Sequence, residues 1–345
     1  MHADVAIAGA SFAGLGAAYY LKGTGIKVLL IGRKGIGENR ASTCAMPLYI
    51  AEELAPGSIL AVQGRFNIET RRINKELGIP GNYCTVDYKK FCASLFKNSG
   101  ADFLKAEVRG TANNAVETSA GRVDAGFILD CTGWRRTLSA GGPARPQELF
   151  IGMEVTTRIR KEHEGRLSFF VDRGLIPGYG WIFPVGGGLG RVGLGGRCTS
   201  VPLRKAFMEF LSRIDIPFEN RELVAGAIPA TGLGRAYYKG VFFVGDSAGQ
   251  VLPLGGEGIR TSLYFARECA AALAGVHEGK LTRDECIRLY ERKVNAERFA
   301  FSTLRMIQES AFSLPQLFFD SCVFAATSGL LAKRLTNAYL SIARL

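Results

Sequence analysis

The sequence lacks several features, and each absence narrows the range of functions. No uncharged apolar run reaches about 18 residues without a glycine, a proline or a charge, so we expect no transmembrane helix. The N-terminus has no basic segment followed by an apolar core, so we expect no signal peptide. The eight cysteines form no CxxC pair and match no zinc spacing, which predicts no metal site and free thiols in a reducing cytoplasm.

Long blocks of basic residues are also missing, although the net charge is +12. Because the positive charges are dispersed, they argue against nucleic acid and favour a phosphate-bearing or membrane-resident ligand. We therefore predict a cytoplasmic protein without a nucleic-acid partner, and peripheral contact with the inner face of the membrane stays open. The 345 residues, 47% of them hydrophobic, allow two domains at about 150 residues each.

The chain opens with a pattern typical of a nucleotide-binding β-α-β unit. A short apolar strand at residues 4–8 is followed by Gly9, Ser11 and Gly14, a helix, and a second strand at residues 27–31. Small residues here let a helix N-terminus approach a pyrophosphate, although Ser11 replaces the middle glycine of GxGxxG. A glycine-rich turn that binds nothing is the alternative.

The second strand of this unit does not end in the usual acidic residue. Gly32 stands where a carboxylate normally binds the adenosine ribose, and Arg33 and Lys34 follow it. Basic residues at this point could favour a phosphate, and the nearby Glu38 could substitute for the missing acid.

An aromatic stretch at residues 177–184 contains Tyr179, Trp181 and Phe183 at every second position. In a strand these three rings point to one face, while Gly180 and Ile182 point to the other. Gly193-Leu194-Gly195 follows after eight residues. The rings form either one wall of a site or an aromatic strip in an ordinary core.

A second glycine-rich region lies at residues 240–259. A buried strand ends in Gly245-Asp246, and Gly255, Gly256 and Gly258 precede a helix that runs from residue 260 to about 274. A carboxylate in this position suits a ribitol hydroxyl, and the glycines allow a flat ring system to approach the backbone. A structural aspartate at a strand end is the alternative.

Elsewhere the pattern predicts mostly ordinary elements. Residues 70–81 read as a helix and turn, and Asp87 as the N-cap of the next helix. Residues 281–345 read as helices rich in large apolar groups, which either cap the fold or line an apolar channel or touch a membrane surface. A lone cysteine such as Cys44 is more often a small buried apolar residue than a reactive group.

Together these residues resemble the geranylgeranyl reductase family of FAD-dependent enzymes, which shares the para-hydroxybenzoate hydroxylase fold. The hallmark YxWxFP followed by GxG is met by residues 179–184 and 193–195, and the similarity spans roughly residues 4–275. The departures are Ser11, Gly32, Tyr88 in place of the usual Arg, Ala45 in place of Gly, and Glu257 within the glycine loop.

The resemblance implies FAD as the cofactor and assigns roles by position. The cofactor-binding residues are then Gly9, Ser11, Gly14, Arg33, Cys44, Ala45, Tyr88, Val108, Asp246, Gly256, Gly258 and Ile259. The substrate-binding residues are Tyr179, Trp181 and Phe183, and the catalytic candidates are Cys44, Tyr179 and Trp181.

The implied fold class is α/β (α+β), with a Rossmann-like FAD-binding domain, an antiparallel-sheet substrate domain and a C-terminal helical region. We predict the FAD-binding domain at residues 1–145 and 225–275, the substrate domain at 146–224, and the helical region at 276–345.

The implied reaction is reduction of isoprenoid C=C bonds by hydride transfer from reduced flavin. The substrate is then an isoprenoid lipid or prenyl diphosphate, and NADPH, ferredoxin, a deazaflavin or an electron-donor protein are all open as the source of electrons. The main alternative is a flavin monooxygenase or halogenase of the same fold, although the WxWxIP tryptophan pair of halogenases is missing here. A lipid carrier that has lost its flavin is the other alternative.

Overall fold

The computed structural model describes residues 1–38, 42–139, 148–172, 174–197, 202–218 and 223–345. Within these residues the strands are β1 (His2–Ala8), β2 (Val28–Gly32), β3 (Ala45–Pro47), β4 (Ile59–Glu69), β5 (Asn74–Val86), β6 (Asp102–Lys105), β7 (Val108–Ala112), β8 (Ala115–Thr118), β9 (Gly121–Asp130), β10 (Leu149–Arg158), β11 (Arg166–Phe170), β12 (Gly178–Gly186), β13 (Leu189–Arg197), β14 (Val224–Pro229), β15 (Tyr237–Tyr238) and β16 (Val241–Phe243). The α-helices are α1 (Phe12–Tyr20), α2 (Leu48–Leu54), α3 (Tyr88–Ser99), α4 (Leu203–Arg213), α5 (Ile259–His277), α6 (Arg283–Ser313), α7 (Gln316–Ala326) and α8 (Gly329–Ser341).

The first sheet is built around the β-α-β unit that opens the chain. Its main path runs β15-β16-β9-β1-β2-β6, and β1 pairs in parallel with both β2 and β9. Helix α1 links β1 to β2 and packs closely on α5, where a Cβ atom on Gly16 would lie 2.9 Å from the Leu263 side chain. The predicted Rossmann-like unit is therefore confirmed.

The second sheet is mostly antiparallel and contains the aromatic stretch. Its order is β14-β10-β13-β12-β11-β4-β5-β3, and the β11–β4 pair is parallel. Pairing of β12 with β13 sets Trp181 opposite Gly193 and Tyr179 opposite Gly195. The two sheets together with helices α6, α7 and α8 confirm the predicted fold class.

Three strands of this second sheet come from residues 45–86, which the predicted division groups with residues 1–145. β3, β4 and β5 pair along one side of the sheet and join it through β11. The strand pairing thus cuts across the predicted division, and the domain limits themselves stay a prediction.

The predicted helix and turn at residues 70–81 is wrong. Thr70 to Ile73 form a tight turn, closed by the Thr70 N–H donating to the Ile73 carbonyl at 2.8 Å, and β5 then pairs with β4. Lys75, Glu76 and Leu77 favour helices locally, but strand pairing in the sheet overrides a propensity of a few tenths of a kcal/mol per residue.

The helix predicted after Asp87 is confirmed. The Asp87 carboxylate accepts the Lys90 N–H at 3.0 Å, and α3 ends at Ser99 with Gly100 as its C-cap in the left-handed conformation, at a φ of 67°. Within the described residues, no helix is both long and apolar enough to cross a bilayer.

Helix α4 covers the face of β12 opposite the aromatic rings. Ile182 belongs to the buried cluster that contains Phe207 and Phe210, and a Cβ atom on Gly180 would lie 2.3 Å from the Phe210 ring. The glycine therefore lets the Phe210 ring of α4 lie directly on the strand backbone.

We expect Gly180→Ala to destabilise the protein by about 1–3 kcal/mol, because the added methyl group overlaps the Phe210 ring. Gly78→Ala in β5 is the matched control, since its Cβ atom would have no neighbour within 4 Å. Urea unfolding of both variants measures the difference. Equal stability of the two variants would contradict this account of the packing.

Candidate cofactor and substrate site

A cavity of about 1940 Å³ lies between the two sheets and the C-terminal helices. Single-ligand pockets usually measure about 300–1,000 Å³, so this cavity has room for a cofactor and a second long ligand. The structure brings the following predicted site residues to its wall: Gly9, Ser11, Arg33, Cys44, Ala45, Tyr88, Val108, Tyr179, Trp181, Phe183, Asp246, Gly256, Gly258 and Ile259.

Gly14 is the predicted site residue that does not line the cavity. A Cβ atom there would lie 1.9 Å from the Gly9 carbonyl oxygen, so its position permits the tight turn from β1 into α1. Gly9 has a φ of +112°, and a Cβ atom on it would lie 2.1 Å from the Cys131 carbonyl oxygen. Gly9 thus brings the start of α1 close to the end of β9, and Gly14 lets the turn close, which leaves backbone at the cavity wall where a pyrophosphate could approach.

Ser11 and Tyr88, both departures from the family pattern, contact each other. The Tyr88 hydroxyl donates to the Ser11 hydroxyl oxygen at 3.1 Å, and the Tyr88 ring packs edge-on against Phe12. Burial raises the pKa of Tyr88, so the phenol stays neutral at physiological pH. The pair fixes the first turn of α1 from the side of α3.

We call the part of the cavity wall around the α1 turn and the end of β2 the cradle. Its end near β2 carries charge of both signs. Arg33, Lys34 and Gly35 line it from the end of β2, and Glu107 and Val108 line it from β7 and the residue before it. The Arg33 guanidinium lies 4.0 Å from the Glu107 carboxylate, whereas the Glu38 carboxylate accepts the Gly35 N–H at 2.8 Å. Glu107, which the sequence pattern did not single out, is thus a carboxylate at the expected ribose end.

The glycine loop, residues 255–258, forms another part of the cavity wall. Gly256 has a φ of +59°, and a Cβ atom on Gly258 would lie 3.5 Å from the Asp246 carboxylate. Burial raises the pKa of Asp246 from 3.8 to about 6. The open glycine backbone beside a poorly solvated carboxylate fits the hydroxyl-bearing chain and flat ring of a flavin.

The aromatic wall depends on three glycines from neighbouring strands. The Trp181 indole lies across the sheet, and a Cβ atom on Gly193, Gly195 or Gly152 would lie 2.3, 3.2 or 3.3 Å from its ring atoms. Its Nε1–H donates to the buried Glu154 carboxylate at 3.1 Å. The GxG that follows the aromatic motif therefore provides the flat floor on which the indole rests.

Tyr179 joins this wall to the glycine loop. Its hydroxyl donates to the Gly255 carbonyl oxygen at 2.6 Å, and its ring meets the Trp181 and Phe169 rings edge-on at 6.0 and 5.6 Å between centroids. Burial, followed by the nearby Glu257, raises the pKa of Tyr179. The aromatic face is thus directed toward the cradle and bounds the same cavity.

Glu257, counted from the sequence as a departure, is the centre of a buried polar cluster. Its carboxylate forms a bidentate ion pair with Arg260 at 2.8 and 2.9 Å and accepts the Tyr83 hydroxyl at 3.1 Å. Arg260 also donates to the Ile342 carbonyl oxygen. A buried pair with its remaining hydrogen bonds satisfied is costly to break on one side, so the cluster ties the glycine loop to the C-terminal segment.

Cys44 is held in an unusual backbone conformation beside the cavity. It is fully buried, has a positive φ of 55°, and its thiol donates to the Ser42 carbonyl oxygen at 3.1 Å. The buried Arg191 guanidinium donates to the Thr43 carbonyl oxygen and, at 3.1 Å, to that of Val86. Arg191 lies opposite Phe183 in the sheet, so the aromatic motif and the cysteine loop are fixed to each other.

Comparisons with known proteins agree with this geometry. No family model matches the chain. It is 27% identical to a digeranylgeranylglycerophospholipid reductase 2 of Methanopyrus kandleri over 86% of this chain and 83% of that protein. A geranylgeranyl bacteriochlorophyll reductase-like protein from Thermoplasma acidophilum superposes with a TM-score of 0.84 at 17% identity, covering 99% and 96% of the two chains.

A flavin-dependent brominase also superposes, with a TM-score of 0.75 at 15% identity over 98% of this chain and 93% of that one. The chain therefore has a flavoprotein fold. Within that fold, its homology to the reductases named above confirms the resemblance to the geranylgeranyl reductase family that the motifs indicate.

We expect Asp246→Asn to stabilise the apoprotein at pH 8 and to leave its stability unchanged at pH 4. The folded protein keeps the carboxyl proton up to about pH 6, while the unfolded chain releases it near 3.8, so the native aspartate loses stability as pH rises between these values. The gain at pH 8 should be on the order of 2 kcal/mol in urea unfolding. A gain that is equal at both pH values would contradict the assigned burial.

Proposed function

We propose that this protein is an FAD-dependent oxidoreductase that reduces C=C bonds of geranylgeranyl or related isoprenoid chains, carried by a lipid or a prenyl diphosphate. The observation that carries the proposal is that the aromatic wall, the glycine loop and the α1 turn all line one large cavity, and that Tyr179 hydrogen-bonds to the glycine loop. The curated relatives bear names of reductases that act on such lipids, which supports the same substrate class here.

The residues that fit the flavin are those of the cradle. Gly9 and the N-terminus of α1 would hold the pyrophosphate, Asp246 the ribitol chain, and the backbone of residues 256–259 the ring system. When bound, reduced FAD supplies the hydride for the addition.

The chain's own residues position the substrate and exclude water. An isoprenoid alkene has no polar handle near its double bond, so rate depends on holding it in one orientation. The Trp181 indole, fixed by Glu154 and by its glycine floor, and the Tyr179 and Phe183 rings beside it offer a rigid apolar face for this. Aromatic faces also stabilise positive charge that develops on the alkene.

The proton that completes the addition is held close to the same wall. The Tyr179 hydroxyl proton is hydrogen-bonded to the Gly255 carbonyl, and the Cys44 thiol proton to the Ser42 carbonyl. Both groups line the cavity, and burial keeps the Tyr179 phenol protonated at neutral pH. These two residues are the proposed proton donors.

The test of reaction class is mass analysis of prenyl lipids after incubation with the chemically reduced, FAD-loaded protein under nitrogen. We expect each reduced double bond to add the mass of two hydrogen atoms. Oxygen-dependent addition of one oxygen or one halogen atom would instead support the monooxygenase or halogenase alternative. A purified protein that takes up no flavin would contradict both.

We expect Trp181→Ala to lower turnover on the order of 10²-fold while the bound flavin is retained, because the alkene loses its positioning face. Met208→Ala on the exposed side of α4 is the remote control, with turnover unchanged. Flavin absorbance measured beside product formation separates the two effects. Loss of flavin from Trp181→Ala would assign the indole to the cofactor rather than to the substrate.

A further inference from the structure

The outer surface of α7 and α8 has the reverse of the usual polarity. Residues 310–332 contain a single charged residue, Asp320, which is only 3% exposed and accepts the Gln316 side-chain amide at 2.7 Å. The structure describes every residue of α7, and among them only Asp320 is buried. A helix that turns its charge inward and its apolar residues outward does not match a water-facing helix of a globular protein.

The exposed apolar side chains in this region are large and come from three consecutive helices, α6, α7 and α8. Phe299 is 82% exposed on α6, Phe318 is 62% exposed on α7 and Leu330 is 76% exposed on α8. Their further exposed apolar neighbours are Met306, Ile307, Leu317, Phe324, Leu331 and Leu335. Single exposed apolar residues are ordinary, but a group of this size marks an interaction surface.

This apolar surface is continuous with the cavity. Phe299, Met306, Ile307 and Leu335 are exposed and also line the cavity wall, next to Val323 on the inner side of α7. A hydrocarbon chain that left a lipid phase at this surface would meet these apolar side chains where it entered the cavity.

Basic side chains border the apolar surface. Lys333 and Arg334 are exposed one turn after Leu330 on α8, and the Lys75 ammonium lies 4.8 Å from the centroid of the Phe324 ring. Lysine and arginine beside an inserted apolar face are attracted to anionic lipid headgroups. This charge pattern favours a lipid bilayer as the occupant of the surface.

We propose that α7, α8 and the adjoining exposed face of α6 rest on an anionic phospholipid bilayer, with the cavity mouth opening into the lipid. Binding to the bilayer follows from the surface itself, whereas entry of a membrane-resident isoprenoid chain through the mouth rests on the proposed function.

The test is flotation of the full-length, FAD-loaded protein with vesicles of equal parts phosphatidylcholine and phosphatidylglycerol, compared with phosphatidylcholine alone. We expect the protein to float with the anionic vesicles. The triple variant Phe318→Ser, Leu330→Ser, Leu331→Ser should bind at least about tenfold more weakly, since it loses apolar contacts that do not line the cavity. Lys333→Glu with Arg334→Glu should weaken binding by about tenfold to the anionic vesicles only.

Met208→Ser and Leu189→Ser, two comparably apolar but partly exposed sites elsewhere, are the controls and should float like the native protein. Equal flotation of the triple variant would overturn the proposal. So would a native protein that does not float but forms dimers that the triple variant loses, because a second copy would then occupy the surface.

Reduction of a detergent-dispersed prenyl substrate is measured in parallel, and the triple variant should retain it. Flotation without reduction would contradict the proposed function and leave the membrane surface supported. Reduction without flotation would support the proposed function and contradict the membrane surface.

Discussion

The contact that the rest of the site depends on is the hydrogen bond from the Tyr179 hydroxyl to the Gly255 carbonyl. It joins the aromatic strand of the second sheet to the glycine loop that precedes α5, and both line the same cavity. The Glu257–Arg260 pair fixes the other side of that loop to Tyr83 of β5 and to the C-terminal segment. Together they fix the glycine loop relative to the aromatic wall, and the proposed hydride transfer depends on that distance.

The sequence was sufficient where the pattern is local. The β-α-β unit and the alternating rings of residues 179–183 follow from spacing alone, and the Asp87 cap from residue type. The floor of glycines beneath Trp181 could not be derived in this way, because Gly152, Gly193 and Gly195 meet the indole only through strand pairing. The helix predicted at residues 70–81 is wrong for a related reason, because strand pairing in the sheet overrides helix propensity.

Several residues that depart from the family pattern contact one another or a nearby partner in the structure. Ser11 and Tyr88 form one hydrogen-bonded pair, so the two departures act together in this structure. Glu257 is accompanied by Arg260 one helical turn later, and that spacing was visible in the sequence, but Tyr83 and the Ile342 carbonyl were not. At the expected ribose end, Gly32 has no carboxylate, and Glu107 lies in the same part of the cavity wall. Glu107 precedes a short strand and belongs to no motif, so the sequence alone could not single it out.

The chemical character of the cavity changes along its length, and this change constrains the order in which two ligands can be arranged. Arg33, Glu107 and the α1 turn line one part of the wall, whereas apolar side chains of α6 and α8 line another part. A dinucleotide matches the first part and a hydrocarbon the second. In the proposed function their reacting ends would meet beside the glycine loop and the Trp181 face, which the Tyr179 hydrogen bond joins to each other.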